Sequence, residues 1–240
     1  MLVAAHDEAE RIGATLAALA AAFPGAAVWV ADDGSRDRTP ELARAAGARV
    51  VRSERVIGKG GAVTAAARAA LRETPAANGE RGEEAVIVLC DGDLGDSARE
   101  LGALAAAVAS GRADVAVAAF SRRVGGGVGL ALGFARWAIR RRCGLIARAP
   151  ISGQRALSAS ALRDVLPFAD GFGMEIGMTI DAVRAGYSVV EIELDLTHRA
   201  TGRTPAGFAH RARQLADFVR AYRARRPGGS RASNFGAPSW

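Results

Sequence analysis

The chain has 240 residues, of which 50% are hydrophobic and 24% charged, and its formal net charge is +7. Such a length and composition suit one globular domain, or two small ones, with a sizeable core. No uncharged apolar run is as long as a transmembrane helix, and the first residues lack the pattern of a signal peptide. The two isolated cysteines form neither a disulfide framework nor a metal knuckle. We therefore expect a cytoplasmic protein.

The positive charge is concentrated in the last part of the chain. Residues 1–200 hold 24 basic and 24 acidic side chains, whereas residues 201–240 hold eight arginines and one acid, Asp217. A basic segment can meet nucleic acid, anionic lipid or a phosphorylated substrate. Nucleic acid is the weakest of these, because the segment lacks interleaved aromatic residues and any recognised nucleic-acid motif. The arginines of residues 136–142 form either a solvated helix face or a membrane contact, so a peripheral position at the inner face of the membrane stays open.

Strand and helix patterns alternate along the chain. Strands are predicted at residues 1–5, 26–31, 49–51, 86–90, 113–120, 151–157 and 188–196, and helices at 12–22, 39–47, 58–71, 97–110, 130–142, 172–185 and 205–226. Four alternations within the first part of the chain predict an α/β fold with a mostly parallel, Rossmann-like sheet flanked by helices. We expect one domain over residues 1–226 that ends in a long helix, followed by a disordered tail over residues 227–240.

The apolar strand at residues 86–90 ends abruptly in two carboxylates. Asp91 and Asp93 follow it, separated by Gly92. Ligands of open α/β sheets bind beyond the carboxyl ends of the strands, and no cation close in sequence neutralises this pair. Two hard oxygen donors suit Mg²⁺ or Mn²⁺, which binds one or two carboxylates together with substrate phosphates. The alternative is an ordinary Asp/Gly turn.

Asp32, Asp33 and Lys59 are further candidates at the same edge of the sheet. Asp32 and Asp33 end the second strand, where a carboxylate can bind a ribose or nucleobase or can form an Asx turn. Lys59 is the only lysine beside 31 arginines and is flanked by glycines at a helix start. This position suits a compact ammonium and a bound phosphate, or simply a surface lysine. The Gly58-Lys59-Gly60 run does not match the phosphate-loop pattern of NTPases.

The second half of the chain adds two candidate residues. Glu175 stands among apolar residues at a helix start, which is costly unless the carboxylate has a partner or a task. The Glu175 carboxylate is therefore either a catalytic group or a helix cap or ion-pair partner. His198 follows the last predicted strand and can be a metal ligand or an ordinary loop histidine.

Four motifs, in this order, resemble those of the family-2 glycosyltransferases, which have the GT-A nucleotide-sugar fold. Residues 4–12 resemble the family's opening Pro-Ala-Tyr-Asn-Glu-Glu-x-x-Ile, and residues 30–39 resemble its Val-Asp-Asp-Gly-Ser-x-Asp-x-Thr. Residues 58–60 match its Gly-Lys-Gly, and residues 91–93 match its Asp-x-Asp. The opening departs from the pattern, with Ala4 for Pro, His6 for Tyr and Asp7 for Asn. Residues 171–177 and 198–199 are also similar to glucosyl-3-phosphoglycerate synthases, and the first half to polyprenyl-phosphate sugar transferases.

The resemblance implies a role for each matching residue. Residues 1–96 would form the nucleotide-sugar half and residues 97–226 the acceptor half with the C-terminal helix. The implied nucleotide-sugar contacts are Ala5, Glu8, Asp32, Asp33, Lys59, Asp91 and Gly92, the implied metal ligands are Asp91, Asp93 and His198, and the implied acceptor or phosphate contacts are Gln154, Arg155, Arg199 and Arg203. Glu175 and Asp93 would be the catalytic residues.

These residues predict a metal-dependent transfer of sugar from a nucleoside-diphosphate sugar of the UDP or GDP type. The diphosphate leaving group needs a metal and cations more than it needs an acid. An acceptor hydroxyl would need a base, for which Glu175 is the candidate, whereas an acceptor phosphate would need none. A small phosphorylated metabolite and a polyprenyl phosphate both remain open as acceptors. The competing functions are a nucleotidyltransferase and a non-catalytic nucleotide-sugar-binding protein.

Overall fold

A computed structural model describes residues 1–73, 85–120, 130–196 and 205–226 of the chain. Seven strands are described: β1 (Leu2–Ala5), β2 (Trp29–Asp32), β3 (Arg49–Arg52), β4 (Val86–Asp91), β5 (Val115–Phe120), β6 (Arg155–Ser158) and β7 (Val189–Leu194). The α-helices are α1 (Ile12–Ala22), α2 (Thr39–Ala45), α3 (Lys59–Glu73), α4 (Gly102–Ala109), α5 (Leu130–Cys143), α6 (Ala159–Val165), α7 (Met174–Arg184) and α8 (Pro205–Ala224). Two 3-10 helices, Gly95–Leu101 and Gly171–Gly173, precede α4 and α7.

The strands form one sheet in the order β3-β2-β1-β4-β6-β5-β7. All described pairings are parallel except those of β6, which runs antiparallel to both β4 and β5. The order 3-2-1-4 in the first half is that of a doubly wound nucleotide-binding sheet. The prediction of a single α/β domain with a mostly parallel sheet is therefore confirmed.

Helices cover both faces of the sheet. One core contains α1, α2, α4 and the Gly95–Leu101 helix, packed against sheet residues such as Val3, Val30 and Val88. The opposite core contains α3, α6 and α7, packed on residues such as Leu2 and Leu89. Alternate residues of β1 and β4 point to opposite cores, as the two-residue period of a strand requires. A third cluster joins α5, α7 and α8.

Several predicted elements differ from the observed ones. The strand predicted at residues 151–157 is shortened to Arg155–Ser158, and the helix α6 that follows it was not predicted. Ser158 ends the strand and caps α6 by accepting a hydrogen bond from the Ala161 N–H at 3.2 Å. The helix predicted at residues 97–110 is divided into a 3-10 turn and α4.

Residues 227–240, predicted to be a tail, lie outside the described part of the chain. None of the helices in the described ranges is long and apolar enough to cross a membrane.

Candidate active site

The sheet register gathers the predicted acidic residues at one edge. Ala5, at the carboxyl end of β1, is paired with Asp32 of β2, and Ala4 is paired with Asp91 of β4. Parallel strands bring their carboxyl ends to the same edge, so acids distant in sequence become neighbours. The loop between β1 and α1 and the loops after β2 and β4 therefore share one crevice.

Lys59 lies at the centre of this crevice and binds two carboxylates. Its Nζ is 2.6 Å from Asp91 Oδ1 and 2.9 Å from Glu175 Oε1. The three residues come from the start of α3, the end of β4 and the first turn of α7. The fold thus supplies the cation that the sequence around Asp91 lacks. It also supplies the partner that the buried Glu175 requires.

The lysine is held firmly in its charged form. Its side chain is 25% exposed, and burial alone would lower the pKa of an ammonium. The charges of Asp91 and Glu175 outweigh that effect and raise the pKa of Lys59 above its usual value. Lys59 therefore acts here as a permanent positive charge between two acids.

Gly153 and Gln154 complete the surroundings of Asp91. The Gln154 amide donates a hydrogen bond from Nε2 to Asp91 Oδ2 at 2.8 Å. A Cβ at Gly153 would lie 2.5 Å from Lys59 Nζ and 3.1 Å from Asp91 Oδ2, so a side chain there would displace the ammonium. Gln154 was predicted to handle the acceptor, and the structure places it against the Asp91 carboxylate.

Arg155 lies beneath the site instead of facing the crevice. Its side chain is 1% exposed, and its Nη1 donates to Thr179 Oγ1 at 2.8 Å while its Nε donates to the Ser152 carbonyl at 2.8 Å. Thr179 in turn donates to the Glu175 carbonyl at 3.0 Å. Burial lowers the pKa of Arg155 to about 10, an effect that the nearby charge of Glu175 partly offsets. In this structure the buried guanidinium supports α7, and the predicted acceptor contact of Arg155 stays a prediction.

Asp93 stands beside this cluster on a tightly fixed turn. Its carboxylate is partly exposed and has no ion-pair partner among the described residues. Thr15 of α1 holds the turn, since its hydroxyl donates to the Gly92 carbonyl and accepts from the Gly95 N–H, each at 2.8 Å. Gly92 is buried, and a Cβ there would lie 3.2 Å from the Ala4 carbonyl oxygen. The sequence signal for Thr15 was a lone polar residue on the apolar face of α1.

Asp33 organises the loop before Lys59. Its two carboxylate oxygens accept hydrogen bonds from the Ile57 N–H at 2.7 Å and the Gly58 N–H at 2.9 Å. His6, which replaces the family's Tyr, places Nδ1 2.8 Å from the Asp33 carbonyl oxygen. In this structure Asp33 therefore accepts hydrogen bonds that shape the loop before Lys59. Its predicted contact with a nucleoside stays a prediction.

Asp32 is buried completely and serves the turn that follows β2. Its Oδ1 accepts hydrogen bonds from the backbone and the hydroxyl of Ser35, and its Oδ2 lies 3.2 Å from Arg52 Nε. These hydrogen bonds support the alternative interpretation, in which Asp32 stabilises the turn after its strand. The predicted nucleotide contact of Asp32 stays a prediction, for a carboxylate that is fully buried and lies beside Arg52 in this structure.

The opening loop is fastened to the loop after β2. The Glu8 N–H donates to Thr39 Oγ1 at 2.8 Å, and the Glu8 carbonyl accepts from the Ile12 N–H at the start of α1. Asp7 adopts a φ of 53° and accepts a hydrogen bond from the Arg36 N–H at 2.7 Å. Ala5 is buried at the end of β1. The predicted nucleotide contacts of Ala5 and Glu8 stay predictions, on a loop that is rigidly placed at the crevice.

The acidic residues present fit a divalent ion in part. Asp93 offers an oxygen donor, whereas both Asp91 oxygens already accept from Lys59 and Gln154, with lone pairs to spare. Within the described ranges no three His, Cys, Asp or Glu residues lie close enough to hold a metal. His198, Arg199 and Arg203 lie outside the described residues, so their predicted roles stay predictions. A hard ion that keeps several waters and binds substrate phosphates suits such a small carboxylate set.

The C-terminal helix contacts the segment that carries Glu175. Asp217 of α8 accepts a hydrogen bond from the Phe172 N–H at 3.2 Å, and a Cβ at Gly171 would lie only 2.2 Å from Asp217 Oδ2. Further along α7, Arg225 Nε is 2.9 Å from both Asp181 carboxylate oxygens. Sequence reasoning assigned no role to Asp217, although it is the only acid in the basic segment after residue 200.

Comparisons with known proteins identify the family of the chain and the fold that it shares with solved structures. The model of a family described as Glycosyl transferase family 2 matches residues 1–151. The crystal structure of glucosyl-3-phosphoglycerate synthase from Mycobacterium tuberculosis with Mg²⁺ and uridine diphosphate is 25% identical, with a TM-score of 0.70, over 95% of this chain and 80% of that chain. The same enzyme with Mn²⁺, UDP-glucose and glycerol 3-phosphate is 24% identical, with a TM-score of 0.69 over the same shares. A mycobacterial protein is 26% identical, with a TM-score of 0.70, over 92% of this chain and 73% of that chain. No curated protein matches the chain.

Proposed function

Because the chain belongs to glycosyl transferase family 2, we propose that it moves a sugar from a UDP-type nucleotide sugar to a small phosphorylated acceptor, with Mg²⁺ or Mn²⁺ bound. The family makes the protein a nucleotide-sugar glycosyltransferase, and its fold is the expected GT-A fold. This assignment replaces the nucleotidyltransferase and the non-catalytic binding protein as alternatives. The proposal concerns the nucleobase of the donor, the identity of the metal ion and the class of acceptor.

The observation that carries the proposal is the Lys59 ammonium between Asp91 and Glu175. It joins the Asp-x-Asp turn of the donor half to the first turn of α7 in the acceptor half. A reaction that transfers a group between two substrates needs such a junction, because both substrates must be held with their reacting atoms in contact.

The donor side of the proposal assigns the diphosphate to the crevice around Asp93 and Lys59. A divalent ion held by Asp93, with Asp91 beside it, would neutralise the charge that develops on the leaving diphosphate. Lys59 is a permanent cation at the same place and can interact with the diphosphate oxygens as a point charge. The UDP type is favoured because the similar synthase has been captured with uridine diphosphate and Mg²⁺.

The acceptor side rests on Glu175. Its carboxylate is buried, with Oε1 bound to Lys59. The network of Thr179 and Arg155 fixes the helix turn on which it stands. A fixed carboxylate at the crevice can accept the proton of an attacking hydroxyl group, or can orient that hydroxyl by a hydrogen bond. An acceptor with a hydroxyl and a phosphate would use this carboxylate for its hydroxyl and the predicted cations Arg199 and Arg203 for its phosphate. A polyprenyl phosphate is the second acceptor class, which the transfer assay below includes.

The test compares Asp93→Asn with Asp96→Asn. Asp96 lies three residues further along the same segment with a largely exposed side chain, so it controls for the loss of one charge. We expect Asp93→Asn to abolish the Mn²⁺-dependent stabilisation by UDP and to keep the melting temperature of the free protein, while Asp96→Asn behaves as the parent in both respects. Transfer from UDP-glucose to phosphorylated hydroxy acids and to a short polyprenyl phosphate is then measured for the parent. Metal-dependent UDP binding that survives in Asp93→Asn would contradict the proposal.

A further inference from the structure

The helix α5 presents an unusual outer face. Its buried residues, Ala135, Ala138 and Ile139, face the core cluster that it shares with α7 and α8. The residues at helical spacing on the opposite face include two large apolar side chains, Leu130 at 72% exposure and Trp137 at 50% exposure. Such large apolar groups are seldom left in water on the same side of one helix.

Arginines frame this apolar line, and Ile146 extends it. Arg136 and Arg140 lie on one side of Trp137 along the helix and Arg141 on the other, all three exposed. Ile146, just beyond the helix end at Gly144, is 76% exposed. We call this set the α5 surface; its members are Leu130, Arg136, Trp137, Arg140, Arg141 and Ile146.

Trp137 is held rigidly in its exposed position. Its ring centroid is 4.9 Å from that of Tyr222 on α8 and 5.5 Å from that of Phe134. The Arg142 guanidinium covers the Tyr222 ring at 3.7 Å. A ring supported on one side and open on the other loses little conformational entropy when its open side is buried.

The positive charge of the α5 surface is not neutralised by nearby acids in the sequence. No Asp or Glu occurs between Asp114 and Asp164, a stretch that contains nine arginines. Glu191 and Glu193 of β7 pair with Arg148, which is not part of the surface. Arg136 donates to the Arg148 carbonyl at 2.9 Å, a neutral acceptor that leaves its charge uncompensated.

Arg220 of α8 and Arg225, just after that helix, are by contrast ion-paired. Arg220 lies 2.6 Å from Asp217, and Arg225 binds Asp181. The excess positive charge noticed in the last part of the sequence is therefore partly used inside the protein. On the α5 surface, by comparison, basic side chains without such an ion pair to any described residue lie beside exposed apolar ones.

From this composition we propose that the α5 surface is a docking site for an anionic lipid bilayer. Leu130, Trp137 and Ile146 would enter the interfacial region, where Trp is favoured, and the arginines would meet the lipid phosphates. A second copy of the chain fits poorly, because a two-fold interface on this surface would oppose arginines to arginines. Nucleic acid fits poorly as well, because the exposed centre of the surface consists of large aliphatic and aromatic side chains, which a phosphate backbone does not bind. The proposal does not depend on which acceptor the enzyme uses.

The experiment is vesicle flotation of the full chain. We expect the protein to float with phosphatidylcholine vesicles that contain phosphatidylglycerol at low salt, to float much less at high salt, and not to float with phosphatidylcholine alone. Each basic side chain near an anionic surface strengthens partitioning roughly fivefold, so Arg140→Gln with Arg141→Gln should weaken it roughly 30-fold. Arg44→Gln with Arg112→Gln removes the same charge from exposed positions away from α5 and serves as the matched control.

The apolar half of the surface is tested separately. Leu130→Ser and Trp137→Ser should each weaken partitioning, by roughly tenfold for the tryptophan, since it buries the larger area. Leu130→Ser keeps the test valid if Trp137→Ser loses its fold through the contacts with Tyr222 and Phe134. Failure to float at low salt would overturn the proposal, as would equal loss in the control pair. A dimer in light scattering that Leu130→Ser dissociates would assign the surface to a second copy and also overturn it.

Discussion

Gly60 offers a sharp test of how α3 is joined to the segment at residues 168–169. It is the second residue of α3, directly after Lys59, and a Cβ at this position would lie 1.9 Å from the Ala169 carbonyl oxygen and 2.9 Å from its carbon. Thr64 fixes the two segments together, since its hydroxyl donates to the Gly60 carbonyl at 2.7 Å and accepts from the Phe168 N–H at 3.1 Å. A methyl group at Gly60 therefore meets backbone that cannot move independently.

The expected cost of Gly60→Ala follows from these contacts. Overpacking of this kind costs about 1–3 kcal/mol, and overlap with a fixed backbone carbonyl places it in the upper part of that range. The higher helix propensity of Ala offsets up to about 1 kcal/mol of this cost. The net loss of about 1–2 kcal/mol corresponds to a drop in melting temperature of roughly 2–8 °C for a domain of this size.

The matched control is Gly13→Ala. Gly13 is also the second residue of its helix, α1, and a Cβ there would meet nothing within 4 Å. This change should raise stability by about 0.5–1 kcal/mol, because only the propensity term remains. Thermal and urea unfolding, followed by circular dichroism, measure both variants. If Gly60→Ala unfolds at or above the temperature of Gly13→Ala, the close approach of α3 to residue 169 is wrong.

Three further predictions concern the site and its supports. Glu175→Gln should keep the affinity for UDP within about threefold, because Asp91 still holds Lys59, and should lower transfer roughly 100-fold if the carboxylate takes the acceptor's proton; a wild-type rate in a steady-state assay would make Glu175 structural. Thr15→Val should cost about 1–3 kcal/mol in urea unfolding, since it leaves both backbone partners in the Asp-x-Asp turn unsatisfied, and unchanged stability would contradict those hydrogen bonds. Burial, reinforced by the neighbouring acid, raises the pKa of the Cys90 thiol to about 12, so a thiol reagent at pH 8 should not label it until the protein is unfolded, and rapid labelling of the native protein would refute its burial.

The first half of the fold could be predicted because its signals are local. The strand at Val86–Asp91 is an apolar run of strand length, and the helix starting at Thr39 has Pro40 at its first turn. Alternation of such segments restricts the topology to a parallel sheet. The antiparallel β6 and the short helix α6 carry no such signal, because four buried residues followed by an Ala-rich stretch fit several arrangements.

The sequence predicted which residues belong to the candidate site, but not which of them contact one another. Asp91 and Asp93 were found because they end a buried strand, at the edge of the sheet where ligands bind. Glu175 was found because a carboxylate among apolar residues is costly without a task. The ion pair from Lys59 to Glu175 spans 116 residues, and no local pattern encodes such a distance. Asp32 and Asp33 show the same limit, since adjacent aspartates in the motif have different surroundings that only the fold assigns.

The contact of Asp217 with the Phe172 N–H has a consequence for the order in which the enzyme matures. Asp217 is synthesised 45 residues after Phe172, so at about 5–20 residues per second it appears roughly 2–9 seconds later. During that interval the crevice formed by β1, β2 and β4 can already fold around its own turns. The segment that carries Glu175 still lacks the partner that fixes its start. A chain released before α8 is made would therefore lack the Asp217 hydrogen bond at the start of the Glu175 segment. We expect activity to report completed synthesis more faithfully than nucleotide binding does.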